Sequence, residues 1–87
     1  MSETWTPEQA HRLGQAVRRL RAAAGLTQEK LAYAAGLTKN QVQLIESGRS
    51  SGRRDAEGPS NPRLSTLAGL AAALGITVSE LLGEAGL

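Results

Sequence analysis

Apolar side chains recur along the first third of the chain at helical spacing. Leu13, Ala16, Val17, Leu20 and Ala24 share one face of a helix that runs to about Ala24, where Gly25 ends it. Its start is equally marked: Thr6 serves as N-cap, Pro7 suits the first helical position, and Gln9 completes a T-x-x-Q capping box. Trp5 and Ala10 hold the positions of a hydrophobic staple, which makes Trp5 a packing residue at the inner edge of a frayed N-terminus, residues 1–5.

Residues 27–48, TQEKLAYAAGLTKNQVQLIESG, carry two shorter periods separated by Gly36. Thr27 caps the first, with Leu31, Ala32 and Ala35 facing inward, and Gly36 permits a left-handed turn. Thr38 and Gln41 form a second T-x-x-Q box that opens a helix at about 39–46, whose inward face is Val42 and Ile45. Two short helices joined by a glycine turn cross steeply, and small Ala32 lets them approach. At about 100° per residue, the opposite face of the later helix collects Asn40, Gln43, Leu44 and Ser47, with Lys39 near its start. That face has few carboxylates. Its amides match the donor and acceptor of an adenine edge, and Lys39 suits a guanine or a phosphate.

Residues 49–62, RSSGRRDAEGPSNP, have no hydrophobic period and read as a loop rich in Gly, Ser, Pro and charge. Helical structure reopens at Asn61-Pro62, with Leu64, Leu67, Leu70, Ala71 and Leu74 as an inward stripe and Gly75 as its stop, although Arg63 leaves the start loosely defined. Thr77 to Glu80 is a T-x-x-E box opening a last short helix that carries Leu81 and Leu82, with little structure beyond Gly83. Five helices and no strands follow.

Thr27-Gln28, Ala32, Gly36, Val42, Ile45, Glu46 and Gly48, followed by NPRLSTLAGLAAALGITVSELL at 61–82, resemble the Cro and phage-repressor type of helix-turn-helix protein, the xenobiotic-response-element family. The resemblance covers nearly all the chain from Leu13 onward. It implies an all-α, five-helix, lambda-repressor-like fold with the helix-turn-helix at helices 2 and 3. The long loop at 49–62 departs from it, since relatives cross this interval in a few residues. The resemblance also pairs an arginine late in the first helix with a glutamate late in the recognition helix, here Arg21 and Glu46, and gives Gln28 a phosphate contact beside a helix N-terminus.

With 87 residues the chain reads as one small domain, of a size that buries about 60% of its unfolded surface. The absence of cysteine excludes a disulfide framework and a cysteine zinc site and is compatible with a cytoplasmic setting. No apolar run approaches a membrane span. Net charge is only +2, but Arg12, Arg18, Arg19, Arg21, Lys39, Arg49, Arg53, Arg54 and Arg63 occupy the middle while Glu3, Glu8, Glu80 and Glu84 lie near the ends. The middle of the chain therefore offers a basic surface to phosphates. His11 stands without a metal-ligand cluster and is expected at the surface, as is Tyr33. Ser50, Ser51 and Ser65 read as loop and cap residues, so neither enzyme chemistry nor a cofactor is expected.

The leading reading is a DNA-binding transcriptional regulator that represses by occupying its operator. Thr38, Lys39, Asn40, Gln43 and Leu44 would meet base edges, and Gln28, Ser47, Arg49, Arg53 and Arg54 the backbone. Leu44 has two readings, contact with a thymine methyl or packing against the next helix. Arg49, Arg53 and Arg54 either grip phosphates or enter a neighbouring minor groove, or else belong to a solvated loop in which Asp55 and Glu57 partly cancel them. The resemblance implies a homodimer on an inverted repeat, with Leu81, Leu82 and Leu87 as candidate apolar contacts. The rival is a protein-interaction module of the same fold, antitoxin-like or an adaptor, using the 49–62 loop.

Overall fold

The computed structural model describes residues 5–49 and 59–87. Arg53 and Arg54, with Ser50, Ser51, Asp55 and Glu57, lie outside the described residues. Among the described residues five helices follow one another: α1 (Pro7–Ala23), α2 (Gln28–Ala35), α3 (Lys39–Ser47), α4 (Leu64–Leu74) and α5 (Val78–Glu84). Among the described residues the only β pairing is an isolated antiparallel bridge between Arg49 and Pro59.

Capping fixes where four of these helices begin. The side chains of Thr6, Thr27, Thr38 and Thr77 each accept from the amide three residues on, and Gln9, Gln41 and Glu80 return the bond to the cap backbone. Orphan amides of the first turn are thus satisfied without tertiary help. At the other ends, Gly36, Gly48 and Gly75 adopt left-handed conformations that stop α2, α3 and α4.

Every helix sends a side chain into one core. Leu13 and Val17 from α1, Leu31 from α2, Val42 from α3, Leu70 from α4 and Leu81 from α5 are fully buried. Each such burial is worth about 1.5–3 kcal/mol relative to exposure. Leu20, Leu67, Leu74 and Leu82 pack around this centre. Two glycines set the closest approaches: a Cβ on Gly14 would strike the carbonyls of Ile45 and Glu46, and one on Gly69 would strike the Ala35 carbonyl. Backbone contact of this kind seats α3 directly on α1 and α4 on α2.

Five expectations need correction. Ala24 is exposed and caps α1 instead of joining its core face. The fourth helix begins at Leu64, three residues beyond Asn61, because the preceding backbone is already engaged. The Ser60 amide donates to the Gly48 carbonyl at 2.9 Å, and the Ser60 carbonyl accepts from the Trp5 indole at 2.6 Å. Arg63 is the N-cap and makes no side-chain cap bond, and Leu64, expected inward, is 72% exposed at the uncovered helix end. Trp5 is half-buried against the core and tied to Ser60, so it does not fray. Finally, structure persists beyond Gly83: α5 reaches Glu84, Ala85 is buried, and Arg12 donates to the Gly86 carbonyl at 3.2 Å.

Candidate nucleic-acid interface

The turn between α2 and α3 is built from backbone alone, with the Leu37 amide bonded to the Ala32 carbonyl at 2.8 Å and Gly36 in the left-handed region. Thr38 then exchanges hydrogen bonds of 2.8 and 3.1 Å with Gln41, which fixes the entry angle of α3. Val42 and Ile45 are buried, so the helix has one inner face and one that water sees. On the latter lie Lys39, Asn40, Gln43 and Ser47, all exposed.

Among the described residues no hydrogen bond engages the side chains of Asn40 and Gln43. Both amides keep their full donor and acceptor capacity at the surface. Lys39 lies 3.8 Å from Glu29 in an exposed pair, worth about 0–1 kcal/mol and readily exchanged for a stronger anion. Thr38 uses its oxygen as a cap acceptor, and the Ser47 hydroxyl donates to the Leu44 carbonyl at 3.0 Å. Leu44 is half-buried. With Gln41 and Arg49 it lines a cleft of about 510 Å³ between α3 and the start of α4.

The back of α3 is pinned by a trio, an ion pair and a neutral glutamine. Arg21 meets Glu46 in a two-pronged pair at 2.6 and 3.1 Å and also donates to the Leu26 carbonyl at 2.9 Å. Side-chain exposures of 16% for Arg21 and 5% for Glu46 place this pair out of bulk water, where a bidentate contact is both strong and directional. The hydrogen bond to Glu46 raises the Arg21 pKa above its ordinary value, burial opposes it, and the Coulombic attraction of Glu46 adds to the rise. Gln28 supplies the third member, its amide donating to Glu46 at 3.0 Å. Expected beside the DNA backbone, Gln28 thus also braces the recognition helix, and nothing in its spacing announced that second bond.

A second cleft, of about 400 Å³, gathers Arg18, Arg21, Gln28, Gln43, Glu46 and Ser47. Gln28 of α2 therefore shares one concavity with Gln43 and Ser47, which lie one turn apart on α3. Arg49 is exposed and bridges to Pro59, so the insertion leaves and rejoins the fold at adjacent points. The basic row expected on α1 is divided: Arg12 is bonded to the Gly86 carbonyl, and Arg19 to the Glu84 carbonyl at 3.0 Å with the Glu84 carboxylate at 3.9 Å. His11 is exposed and Tyr33 is 90% exposed. Leu81 is fully buried and unavailable for contact with a second chain, whereas Leu87 is 40% exposed. Among the described residues no three His, Cys, Asp or Glu side chains converge, and no single helix is long and apolar enough to cross a membrane.

A helix-turn-helix domain family model matches residues 12–82. An immunity repressor protein of Bacillus phage phi105 is 39% identical over 72 residues, covering 83% of this chain and 43% of the phage protein. This chain thus spans less than half the length of that relative. Among solved structures, the restriction-modification controller protein C.AhdI from Aeromonas hydrophila is 38% identical, with a TM-score of 0.69 over 83% of this chain and 94% of its own. The clp gene regulator ClgR from Corynebacterium glutamicum is 29% identical, with a TM-score of 0.73 over 90% of this chain and 72% of its own.

Proposed function

The chain belongs to the helix-turn-helix domain family, and from that premise we propose that it is a sequence-specific double-stranded DNA-binding transcriptional regulator that represses by occupying its operator. The observation that carries this reading is the outer face of α3, where Asn40 and Gln43 stand exposed and unengaged on a helix whose inner face is fixed. Side chains that read base edges must be held in register before DNA arrives, since ordering them on binding weakens affinity. The Thr38 cap, the contact with Gly14 and the Arg21–Glu46 pair provide that register.

In this reading α3 enters the major groove. Asn40 and Gln43 read base edges, Thr38 and Lys39 reach bases or flanking phosphates, and Leu44 meets a thymine methyl at the rim of its cleft. Gln28, Ser47 and Arg49 hold the backbone, and Arg53 and Arg54 join them from the insertion. Two copies bind an inverted repeat as a homodimer, with Leu82 and Leu87 in the apolar contact, and the protein works in the cytoplasm without catalysing a reaction. The names of the phage repressor and the two regulators support this assignment.

Selection of bound duplexes from a random DNA pool at near-physiological salt tests it. The expected product is an enriched inverted repeat with half-sites about one helical turn, or 34–36 Å, apart. Enrichment of a lone half-site would remove the dimer and keep the reader. Binding confined to low salt with no enriched sequence would overturn the assignment and favour a protein partner.

A further inference from the structure

We propose that Arg18, on α1, binds a DNA phosphate at the cleft beside the recognition helix, which makes the second half of α1 part of the DNA-binding surface. This rests on the DNA-reading function proposed above and adds to it a residue from outside the helix-turn-helix.

The cleft of about 400 Å³ contains three charges, those of Arg18, Arg21 and Glu46, around the neutral side chains of Gln28, Gln43 and Ser47. Arg21 and Glu46 cancel each other in a two-pronged pair, and Arg21 spends a further donor on the Leu26 carbonyl. The net charge of the cleft is therefore that of Arg18. Arg18 is exposed, and no hydrogen bond or ion pair engages it among the described residues. Its placement follows from helical geometry: it lies three residues before Arg21, on the side of α1 that faces α3. Arg19, one residue on and about 100° further around the helix, is held by Glu84. Two adjacent arginines of equal charge thus have different surroundings. One is committed within the fold, and the other is aimed into a cleft whose remaining polar groups flank α3. A free guanidinium beside neutral amide and hydroxyl groups suits the forked geometry of a phosphate.

Salt-dependent DNA binding separates Arg18 from its neighbour. The probes are a duplex carrying the selected sequence and a scrambled duplex of equal length, titrated from about 0.05 to 0.3 M salt. Arg18→Ala is expected to reduce the salt slope by about 0.9 per protomer and to weaken binding about fivefold per protomer near 0.15 M, the factor contributed by one released counterion. Both duplexes should lose the same factor, because a phosphate contact carries no base information. Arg19→Ala removes the same charge from the same helix and should leave the slope unchanged, while Arg18→Lys should retain most of the affinity. Thermal unfolding should not separate Arg18→Ala from the unaltered protein, since the side chain is exposed and alanine favours helix. Equal losses in the two alanine variants, or an unchanged slope in Arg18→Ala, would overturn the inference and leave the DNA-binding function standing. Failure of the unaltered protein to bind any duplex would overturn both.

Discussion

Glu46 is nearly buried beside two donors, the Arg21 guanidinium and the Gln28 amide. Removing one partner of such a pair leaves the other desolvated and unsatisfied, so single substitutions overstate what the contact contributes. A double-mutant cycle on Arg21→Met and Glu46→Gln isolates it, and we expect a coupling of about 1–3 kcal/mol in denaturant unfolding. Additive effects of the two substitutions would mean that the pair does not hold α3. The raised Arg21 pKa gives the sign of any pH effect. Stability that derives from a raised pKa is complete below the unfolded value and is lost only as pH rises through the folded one. For an arginine that loss lies far above neutrality, and the guanidinium stays charged throughout the ordinary range. The sequence offered this pair only through family resemblance, because no spacing rule joins residues 21 and 46. Gln28 illustrates the limit more sharply: a helix-opening glutamine is legible, but its bond to a carboxylate on another helix depends on how the two helices cross.

Between elements, the approach of α3 to α1 depends on Gly14. In an isolated helix Gly14→Ala would be stabilising by up to about 1 kcal/mol, but here the new methyl would meet the carbonyls of Ile45 and Glu46, both backbone groups that cannot rotate aside. We expect net destabilisation of about 1–3 kcal/mol in urea unfolding, accompanied by weaker DNA binding. At the start of α4 the expectation has the opposite sign. Arg63 occupies the N-cap with no side-chain bond, so Arg63→Asp should stabilise by about 1 kcal/mol if DNA is absent. Exposed Leu64 should tolerate Gln within about 0.5 kcal/mol, where an inward leucine would not. Four helix starts were readable because a threonine cap satisfies amides locally. The start of α4 was not, because the Ser60 backbone is claimed by Gly48 and Trp5, residues distant in the chain. Periodicity likewise placed Leu67, Leu70 and Ala71 correctly but failed for Leu64 and Ala24, each at a helix end where no neighbour covers the face.

For the whole molecule, the division of α1 gives its charges separate tasks. Arg12 and Arg19 fasten the end of the chain, Arg21 fixes α3, and Arg18 is left for a ligand. A sum of arginines along the sequence conceals this, since the net charge of +2 is the same wherever the partners sit. The five-helix order was legible from caps, glycines and apolar periods, and the outward face of α3 from its wheel. What brings Arg18 and Gln28 to Gln43 and Ser47 around one cleft is tertiary packing, which the wheel of any single helix leaves out. That α3 reads bases through Asn40 and Gln43 is tested most directly by the base-preference profile of Asn40→Ala and Gln43→Ala on the selected duplex. Each variant should lose about 1–3 kcal/mol of discrimination at individual positions and stay within about 0.5 kcal/mol of the unaltered protein in stability. Unchanged profiles, or a uniform loss across all sequences, would contradict it.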